Sequence, residues 1–173
     1  MTIHDTHPFA DAEPDPARRF RGRLGGAVTL WTAGSGAARA GLTVSSVVLA
    51  RGEPDRLLAL VDPDSDLADT LDDTGRAVVH VLAWRHRDLA DAFAGVAPSP
   101  GGPFRAGTFT DDVHGPRLVD ATAVARVAVE STAEVGWSLL VTAMVEDVEV
   151  APGDDGDEAP LLHRRGRYRT IEG

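Results

Sequence analysis

Hydrophobic and polar residues alternate along most of the chain with the period of two that is typical of β-strands. Short segments rich in Gly, Pro, Asp and Ser, which favour turns, separate these runs. Because most connections are short, we expect the strands to pair mainly antiparallel and to form a closed barrel or a sandwich. The predicted strands are 27–33, 42–50, 56–62, 76–84, 123–131, 138–150 and 163–171.

Three shorter segments have the period near four of an amphipathic helix. Segment 15–24 begins with Asp15 and Pro16, an N-cap residue followed by the residue preferred at the first helical position. Segment 65–75 begins with the N-cap residue Ser65 and ends at Gly75, and segment 87–95 is apolar on one face. The sequence therefore predicts a mainly β protein with short helices.

Length and composition indicate one folded domain. The chain has 173 residues, of which 43% are hydrophobic, which is enough to fill one sizeable core. Residues 1–14 are acidic and interrupted by proline, with no apolar period, so we expect a flexible N-terminal arm there. The predicted domain is 15–173.

Charge and residue usage exclude several classes of function. The formal net charge of −10 argues against a nucleic-acid partner, because such proteins displace counterions with an excess of Lys and Arg. No apolar run is long enough to cross a membrane, and no basic and apolar leader is present, so we expect a cytoplasmic protein. The chain lacks cysteine and lysine, which excludes disulfides, thiolate metal sites, cysteine nucleophiles and Schiff-base chemistry.

The histidines and serines do not form a recognisable catalytic or metal-binding group. The six histidines are spread along the chain without a helical pair, so no metal site is predicted. His80 alternates with valines in a strand, which favours a hydrogen-bonded core or interface residue, and His86 is expected in a solvated turn. The segment "GLTVSSV" lacks the strand-turn-helix context of a serine hydrolase.

Three hydroxyls follow a glycine in the segment "GLTVSSV" of the second predicted strand. Thr43, Ser45 and Ser46, together with Gly41, form a possible cradle for a phosphate, since glycine permits close approach and hydroxyls donate hydrogen bonds. The same residues are also ordinary for a solvated strand edge. Ser65, at a predicted helix start, is a second place where unpaired N–H groups favour an anion.

The order of the segments adds information that no single motif carries. The segments "GLTVSSVVLARGEPDRLLALVDPDSDLADTL", "GRAVVHVLAWRHRDLADAFAG" and "GWSLLVTAMVEDVEV" follow one another, and with their flanks from about 15 to 171 the chain resembles the flavin reductase-like family. The resemblance implies a closed antiparallel split β-barrel, the FMN-binding split barrel, that works as a homodimer. It also implies FMN as cofactor, with FAD as the alternative, and NADH or NADPH as hydride donor.

The resemblance also implies which residues line the flavin site. The match to "G-x-T-x-[NS]-S" assigns cofactor-binding roles to Thr43, Val44, Ser45 and Ser46, and the segment after the next strand adds Asp62 and Ser65. The phosphate of FMN further requires a cation nearby. The arginines closest in sequence to the matched segments are Arg39, Arg51, Arg85 and Arg87.

Three departures from the family pattern leave the type of activity open. The family usually has Asn where this chain has His80, and "S-x-D-P-P" where it has "ARGEP". The "G-D-H" whose histidine lies near the nicotinamide reads Gly136, Trp137 and Ser138 here. Trp137 is therefore expected to cover the flavin, to fill a dimer interface or to belong to the core at one end of the barrel.

Three hypotheses follow. The first is an NAD(P)H-dependent flavin reductase that uses reduced flavin in place or supplies it to a monooxygenase partner; no side chain is assigned as a catalytic acid or base, because the flavin supplies the hydride chemistry. The alternative is a non-catalytic module of the same fold that binds flavin or deazaflavin. The third is a relative that has lost the cofactor.

Overall fold

The computed structural model describes residues 15–152 and 158–171, so the predicted N-terminal arm, 1–14, lies outside the described residues. The described residues form three α-helices and twelve β-strands. The helices are α1 (Pro16–Leu24), α2 (Asp66–Thr74) and α3 (Arg87–Phe93). The strands are β1 (Gly26–Ala27), β2 (Thr29–Ala33), β3 (Ala40–Val44), β4 (Val47–Ala50), β5 (Arg56–Val61), β6 (Arg76–Val81), β7 (Phe109–Thr110), β8 (Arg117–Leu118), β9 (Ala123–Val135), β10 (Ser138–Val150), β11 (Leu162–Arg164) and β12 (Arg167–Arg169).

The helices begin where the sequence predicts. The Asp15 carboxylate accepts a hydrogen bond from the Ala17 N–H at 3.0 Å, and the Ser65 hydroxyl accepts one from the Ala68 N–H at 3.2 Å. Helix α2 ends at Gly75, which is left-handed (φ 65°) and donates its N–H to the Leu71 carbonyl. Local capping chemistry thus determines the bounds of α1 and α2. None of the described helices is long and apolar enough to cross a membrane.

Seven antiparallel strands form the main sheet, in the order β3-β2-β6-β9-β10-β5-β4. Strands β3 and β4 lie at opposite ends of this order, yet only Ser45 and Ser46 separate them in the chain. The sheet therefore curls until its two ends meet at this corner. The mainly β fold with short helices is confirmed, and the described strands give an open, curled sheet in which β3 and β4 do not pair with each other.

Several predicted strands differ from the structure, and two of them are interrupted by a turn. The run 76–84 ends as a strand at Val81, the run 123–131 continues to Val135, and the run 27–33 is divided between β1 and β2. The run 42–50 is two strands, because Ser45 and Ser46 are both exposed and interrupt the alternation between Val44 and Val47, which both contact the core. The run 163–171 is the hairpin β11–β12, whose turn places Arg165 and Gly166 at φ 53° and 71°. Two residues with positive φ are what a tight hairpin turn requires.

Hydrophobic side chains fill both sides of the sheet at its centre. On the inner side, α2 packs its leucines against a cluster that includes Trp31, Val79 and Val141. On the outer side, α3 and the segment that follows it cover Leu30, and Phe93 contacts this second cluster. Every side chain of β2 is consequently buried. The two clusters share one sheet.

Strands β9 and β10 form a long hairpin that extends beyond this core. All side chains from Glu130 to Trp137 are exposed, and Trp137, in the turn, is 99% exposed. We call residues 130–137 the hairpin arm. The expectation that Trp137 belongs to the core at one end of a barrel is therefore wrong, because the turn lies past the last core residue of either strand.

Candidate functional site

The two sequence segments predicted to line a site lie next to each other at the corner of the sheet. The Leu60 N–H donates to the Ser46 carbonyl at 3.0 Å, and β5 ends one residue later, so that Asp62 follows directly. Helix α2, which begins after Ser65, packs against β3. We call the six residues gathered here the corner site: Thr43, Val44, Ser45, Ser46, Asp62 and Ser65.

The four residues of the first segment differ in what they offer a ligand. The Thr43 hydroxyl donates to the Ala90 carbonyl at 2.6 Å and so ties β3 to α3, and the Val44 side chain is buried in the inner core. Ser45 and Ser46 are exposed. Among the described strands, β3 pairs on one side only, so its outer edge presents backbone N–H and C=O groups. The accessible polar groups are thus two hydroxyls and a strand edge.

The second segment is a turn closed by its own hydrogen bonds. The Asp62 carboxylate accepts from the Asp64 N–H at 2.9 Å, and the Ser65 hydroxyl donates to the Asp62 carbonyl at 2.7 Å while it caps α2. The Ser65 hydroxyl is therefore engaged in the fold. What remains for an anion is the backbone N–H groups of the first helical turn, at the positive end of the helix dipole.

Charge around the start of α2 is negative. Asp62, Asp64, Asp66 and Asp69 are all exposed there. The four arginines that the sequence offered as phosphate partners all contact groups of the chain itself. Arg39 lies over the Phe104 ring at 4.4 Å, Arg51 pairs with Asp55 at 3.1 Å, Arg85 binds Asp120 and Glu158, and Arg87 lies over the Trp84 ring at 4.1 Å.

His80 is a hydrogen-bonded core residue, as the alternation predicts. Its Nδ1 lies 2.9 Å from the Leu30 carbonyl and its Nε2 accepts from the Leu118 N–H at 3.0 Å, so the neutral tautomer with the proton on Nδ1 satisfies both contacts. Burial lowers the pKa of His80 to about 4. This side chain joins β2, β6 and β8 and is not part of the corner site.

His86 is buried, so the prediction of a solvated turn is wrong. Its Nδ1 accepts from the Ala83 N–H at 3.0 Å, and its Nε2 lies 3.2 Å from an Asp120 carboxylate oxygen. Burial lowers the pKa of His86, and the Asp120 carboxylate opposes that shift. The ring closes the short turn before α3, which polarity along the sequence does not reveal. Within the described ranges, no group of three or more His, Asp or Glu is placed to hold a metal ion.

The family resemblance gave covering the flavin as one expectation for Trp137, and the strand register places the hairpin turn at the same end of the sheet as the corner site. Leu139 of β10 lies opposite Val61 of β5, so the turn at Gly136 and Trp137 and the segment that starts at Asp62 both begin within three residues of this pair. The signal in the sequence is weak, because the two segments are more than 70 positions apart. Apart from the family resemblance, the sequence indicates this proximity only by placing a large aromatic residue in a turn.

Comparison with known proteins gives one consistent family. The family model described as "Flavin reductase like domain" matches residues 21–172. The FMN reductase (NADH) RutF of Ancylobacter novellus is 31% identical over 152 residues, which cover 87% of this chain and 81% of that protein. The 4-hydroxyphenylacetate 3-monooxygenase reductase component of Pseudomonas aeruginosa is 26% identical over 141 residues, covering 80% and 83%.

Solved structures share the fold. The NADH:FAD oxidoreductase SgcE6 of Streptomyces globisporus superposes with a TM-score of 0.79 at 22% sequence identity, over 96% of this chain and 100% of that one.

Proposed function

Because this chain belongs to the flavin reductase-like domain family, we propose that it is an NADH-dependent flavin reductase that takes FMN at the corner site. The observation that carries the proposal is the meeting of the two family-matched segments, 43–46 and 62–65, at one corner of the sheet. The relative named FMN reductase (NADH) supports NADH as the hydride donor and FMN as the flavin. The relative named as a monooxygenase reductase component supports the delivery of reduced flavin to a monooxygenase.

The chemistry of the corner site fits a flavin in part. A strand edge and the Ser45 and Ser46 hydroxyls suit the hydrogen-bonding edge of the flavin ring and the hydroxyls of its ribityl chain. We propose that Thr43 and Val44 contribute backbone groups, because their side chains are already used within the fold. Beside Asp62 and Ser65, the first turn of α2 offers N–H groups to the phosphate.

The chain's part in the reaction is to position its two substrates. In the overall reaction a hydride passes from the dihydronicotinamide to the flavin, a proton from water completes the reduced flavin, and oxidised nicotinamide leaves. The corner site offers carboxylates and hydroxyls and no histidine. We therefore propose that the residues act by binding and orientation, which is the main contribution a protein makes to such a transfer.

The relatives support NADH over NADPH, because the Ancylobacter novellus protein is named FMN reductase (NADH). The exposed carboxylates at positions 62, 64, 66 and 69 give the corner site a negative potential, so the FMN phosphate would depend on the N–H groups of the first turn of α2. We also propose FMN rather than FAD, with reduced FMN released to a monooxygenase partner in the cytoplasm, where reduced nicotinamides are produced.

The proposal is tested by measuring NADH oxidation with and without added FMN. We expect oxidation to depend on both and to be much slower with NADPH. FMN binding, followed by the visible absorbance of the flavin, should precede turnover. Binding without NADH oxidation would favour the alternative, a flavin- or deazaflavin-binding module, and no binding of FMN, FAD or riboflavin would overturn the proposal.

We propose in addition that the functional unit is a homodimer of a single-domain chain, with residues 15–173 as the domain and the curled sheet completed as a closed split barrel. An apolar patch on the outside of the sheet supports the dimer. It consists of Val48 and Leu60, which are 64% and 39% exposed, and of the half-buried Leu58 and Leu140 that pair with them across β4, β5 and β10. Contiguous exposed apolar residues of this kind mark interaction surfaces.

A further inference from the structure

The turn of the hairpin arm displays a tryptophan whose exposure is unusual. Trp137 is 99% exposed, whereas Trp31 is completely buried and Trp84 is half-buried beneath Arg87. An indole carries a large apolar surface, and burying it is among the larger contributions a single side chain makes to binding. A fully exposed indole in the turn of the hairpin arm is therefore a candidate contact for a ligand or a partner.

The turn holds this side chain in a defined place. Val135 pairs with Ser138, so only Gly136 and Trp137 form the turn, and Gly136 has the positive φ of 58° that such a turn needs. Strand β10 is paired on both sides, with β9 and β5, up to Leu139. The backbone position of Trp137 is thus determined by the sheet and not by a long loop.

The strand register places this turn beside the corner site. Leu139 pairs with Val61, the last residue of β5, and the next residue on β5 is Asp62. On the other side of β5, the Leu60 N–H binds the Ser46 carbonyl. Three features therefore lie at the same end of neighbouring strands. They are the hairpin turn, the turn that starts at Asp62, and the corner at Ser46.

The corner site itself has no aromatic side chain. Residues 43–46 and 62–65 provide hydroxyls, carboxylates and backbone groups, which bind the polar edges of a planar ligand but cover neither of its faces. The aromatic residue that the register brings to this end of the sheet is Trp137. Aromatic rings stack face to face with an offset on other rings, and electron-poor heterocycles are favourable partners of indole.

We infer that Trp137 stacks on a planar heteroaromatic ring bound at the corner site. This inference rests on the proposed function, which supplies two such rings, the flavin and the nicotinamide. Both present the same chemistry to the indole, and the two are separated by experiment. Ser45 and Ser46 bind the edge of the ligand, and the indole covers a face.

The test compares Trp137→Ala and Trp137→Phe with a control, Val113→Ala. Val113 is 80% exposed and follows Asp112, which binds Arg126, and Arg126 lies ten residues along β9 from Gly136 of the turn. We expect Trp137→Ala to weaken one ligand by about 3- to 10-fold, the range of a lost aromatic pair, and Trp137→Phe to restore part of it. Val113→Ala should leave both ligands unchanged.

The affected ligand identifies the ring. If the flavin is the partner, the dissociation constant of FMN rises, and the fluorescence of bound FMN, which contact with indole quenches, increases in both Trp137 variants. If the nicotinamide is the partner, FMN binding is unchanged, whereas the KM for NADH and the inhibition constant of NAD⁺ rise and kcat is affected less. Either result supports the inference.

Three results would overturn it. The first is that the variants bind FMN, NADH and NAD⁺ within twofold of the parent protein, in which case the proposed function stands and only the role of Trp137 fails. The second is that acrylamide does not quench Trp137 in the ligand-free protein, as judged against Trp137→Phe, because a second copy of the chain then covers the indole. The third is that the parent protein binds no flavin, which removes the proposed function and this inference together.

Discussion

Single polar side chains tie neighbouring elements of the fold together. The Thr43 hydroxyl donates to the Ala90 carbonyl of α3, and the two ring nitrogens of His80 bind backbone groups of β2 and β8. The His80 ring is buried, so leaving its nitrogens without partners would be costly. The hydroxyl that the family pattern assigns to the ligand at position 43 is therefore used by the fold, and Ser45 and Ser46 are the accessible hydroxyls.

His80 makes stability depend on pH. Burial, with a contribution from the Arg117 charge, lowers its pKa to about 4 from a reference value of 6.5, while the Leu30 carbonyl and Asp112 oppose the shift. Between these two values the unfolded chain binds more protons than the folded one, so stability decreases as the pH falls. The stability contribution of the neutral His80 is fully present above the reference pKa of 6.5, and it is lost as the pH falls toward the folded-state pKa of about 4.

We expect the free energy of unfolding to fall by up to about 1.4 kcal/mol per pH unit below the unfolded pKa because of this residue. His86, whose pKa burial also lowers, adds to the loss. Urea unfolding between about pH 7 and about pH 5 measures how steeply the free energy of unfolding falls with pH. His80→Asn replaces the imidazole with a neutral amide that cannot titrate, so it should make this dependence less steep. An equal slope in parent and variant would show that His80 is not buried in its neutral form.

At the scale of elements, the helix starts and many strand ends were predictable, such as both ends of β10 at Ser138 and Val150, whereas the break within the run 42–50 was not. The residues that cap α1 and α2 are adjacent in sequence to the helices they begin, so Asp15 and Ser65 could be read from the chain. The break at Ser45 and Ser46 depends on where the curled sheet brings its two ends together. How the sheet curls depends on all seven strands together, so the alternation of residues within one strand cannot predict it.

Helix α2 gives a direct test of where the phosphate lies. Asp and Asn cap helices about as well as Ser, so Ser65→Asp and Ser65→Asn should both keep α2 and the stability of the protein. Ser65→Asp adds a negative charge to the proposed phosphate site. We expect its FMN dissociation constant to rise by about fivefold, the equivalent of ~1 kcal/mol for two charges about 4 Å apart in water.

Riboflavin, which lacks the phosphate, is the matched ligand for this comparison. Its binding should be the same in Ser65→Asp, Ser65→Asn and the parent protein, and FMN binding should be unchanged in Ser65→Asn. A similar loss for FMN and riboflavin would indicate that position 65 contacts the ring or the ribityl chain. No loss for either would place the flavin away from α2.

At the scale of the whole molecule, one sheet separates two cores and leaves two surfaces uncovered. The inner cluster is closed by α2 and the outer cluster by α3, whereas within residues 15–152 and 158–171 no helix covers the outer face of β4, β5 and the hairpin arm. The mainly β fold could be anticipated from alternation and family resemblance. The order of the strands in the sheet could not, and neither could the register of β5 against β10 that brings the hairpin turn to the same end of the sheet as the corner site.

The uncovered face predicts the behaviour of the chain in solution. Leu60 lies at the centre of the apolar patch, and its own N–H binds the Ser46 carbonyl, so a second copy seated there would also border the corner site. We expect the parent protein to sediment as a dimer and Leu60→Asp to sediment as a monomer. A carboxylate at an exposed position costs a monomer little, but its desolvation in an interface costs several kcal/mol.

Val113→Asp is the matched control, because it adds the same charge at an exposed valine outside the patch. It should remain a dimer with an unchanged unfolding transition. If the flavin site is shared between two copies, Leu60→Asp also loses FMN affinity, and raising the protein concentration restores dimer and affinity together. A parent protein that is monomeric at every concentration and still reduces FMN would contradict the dimer, and it would show that one curled sheet is sufficient for the reaction.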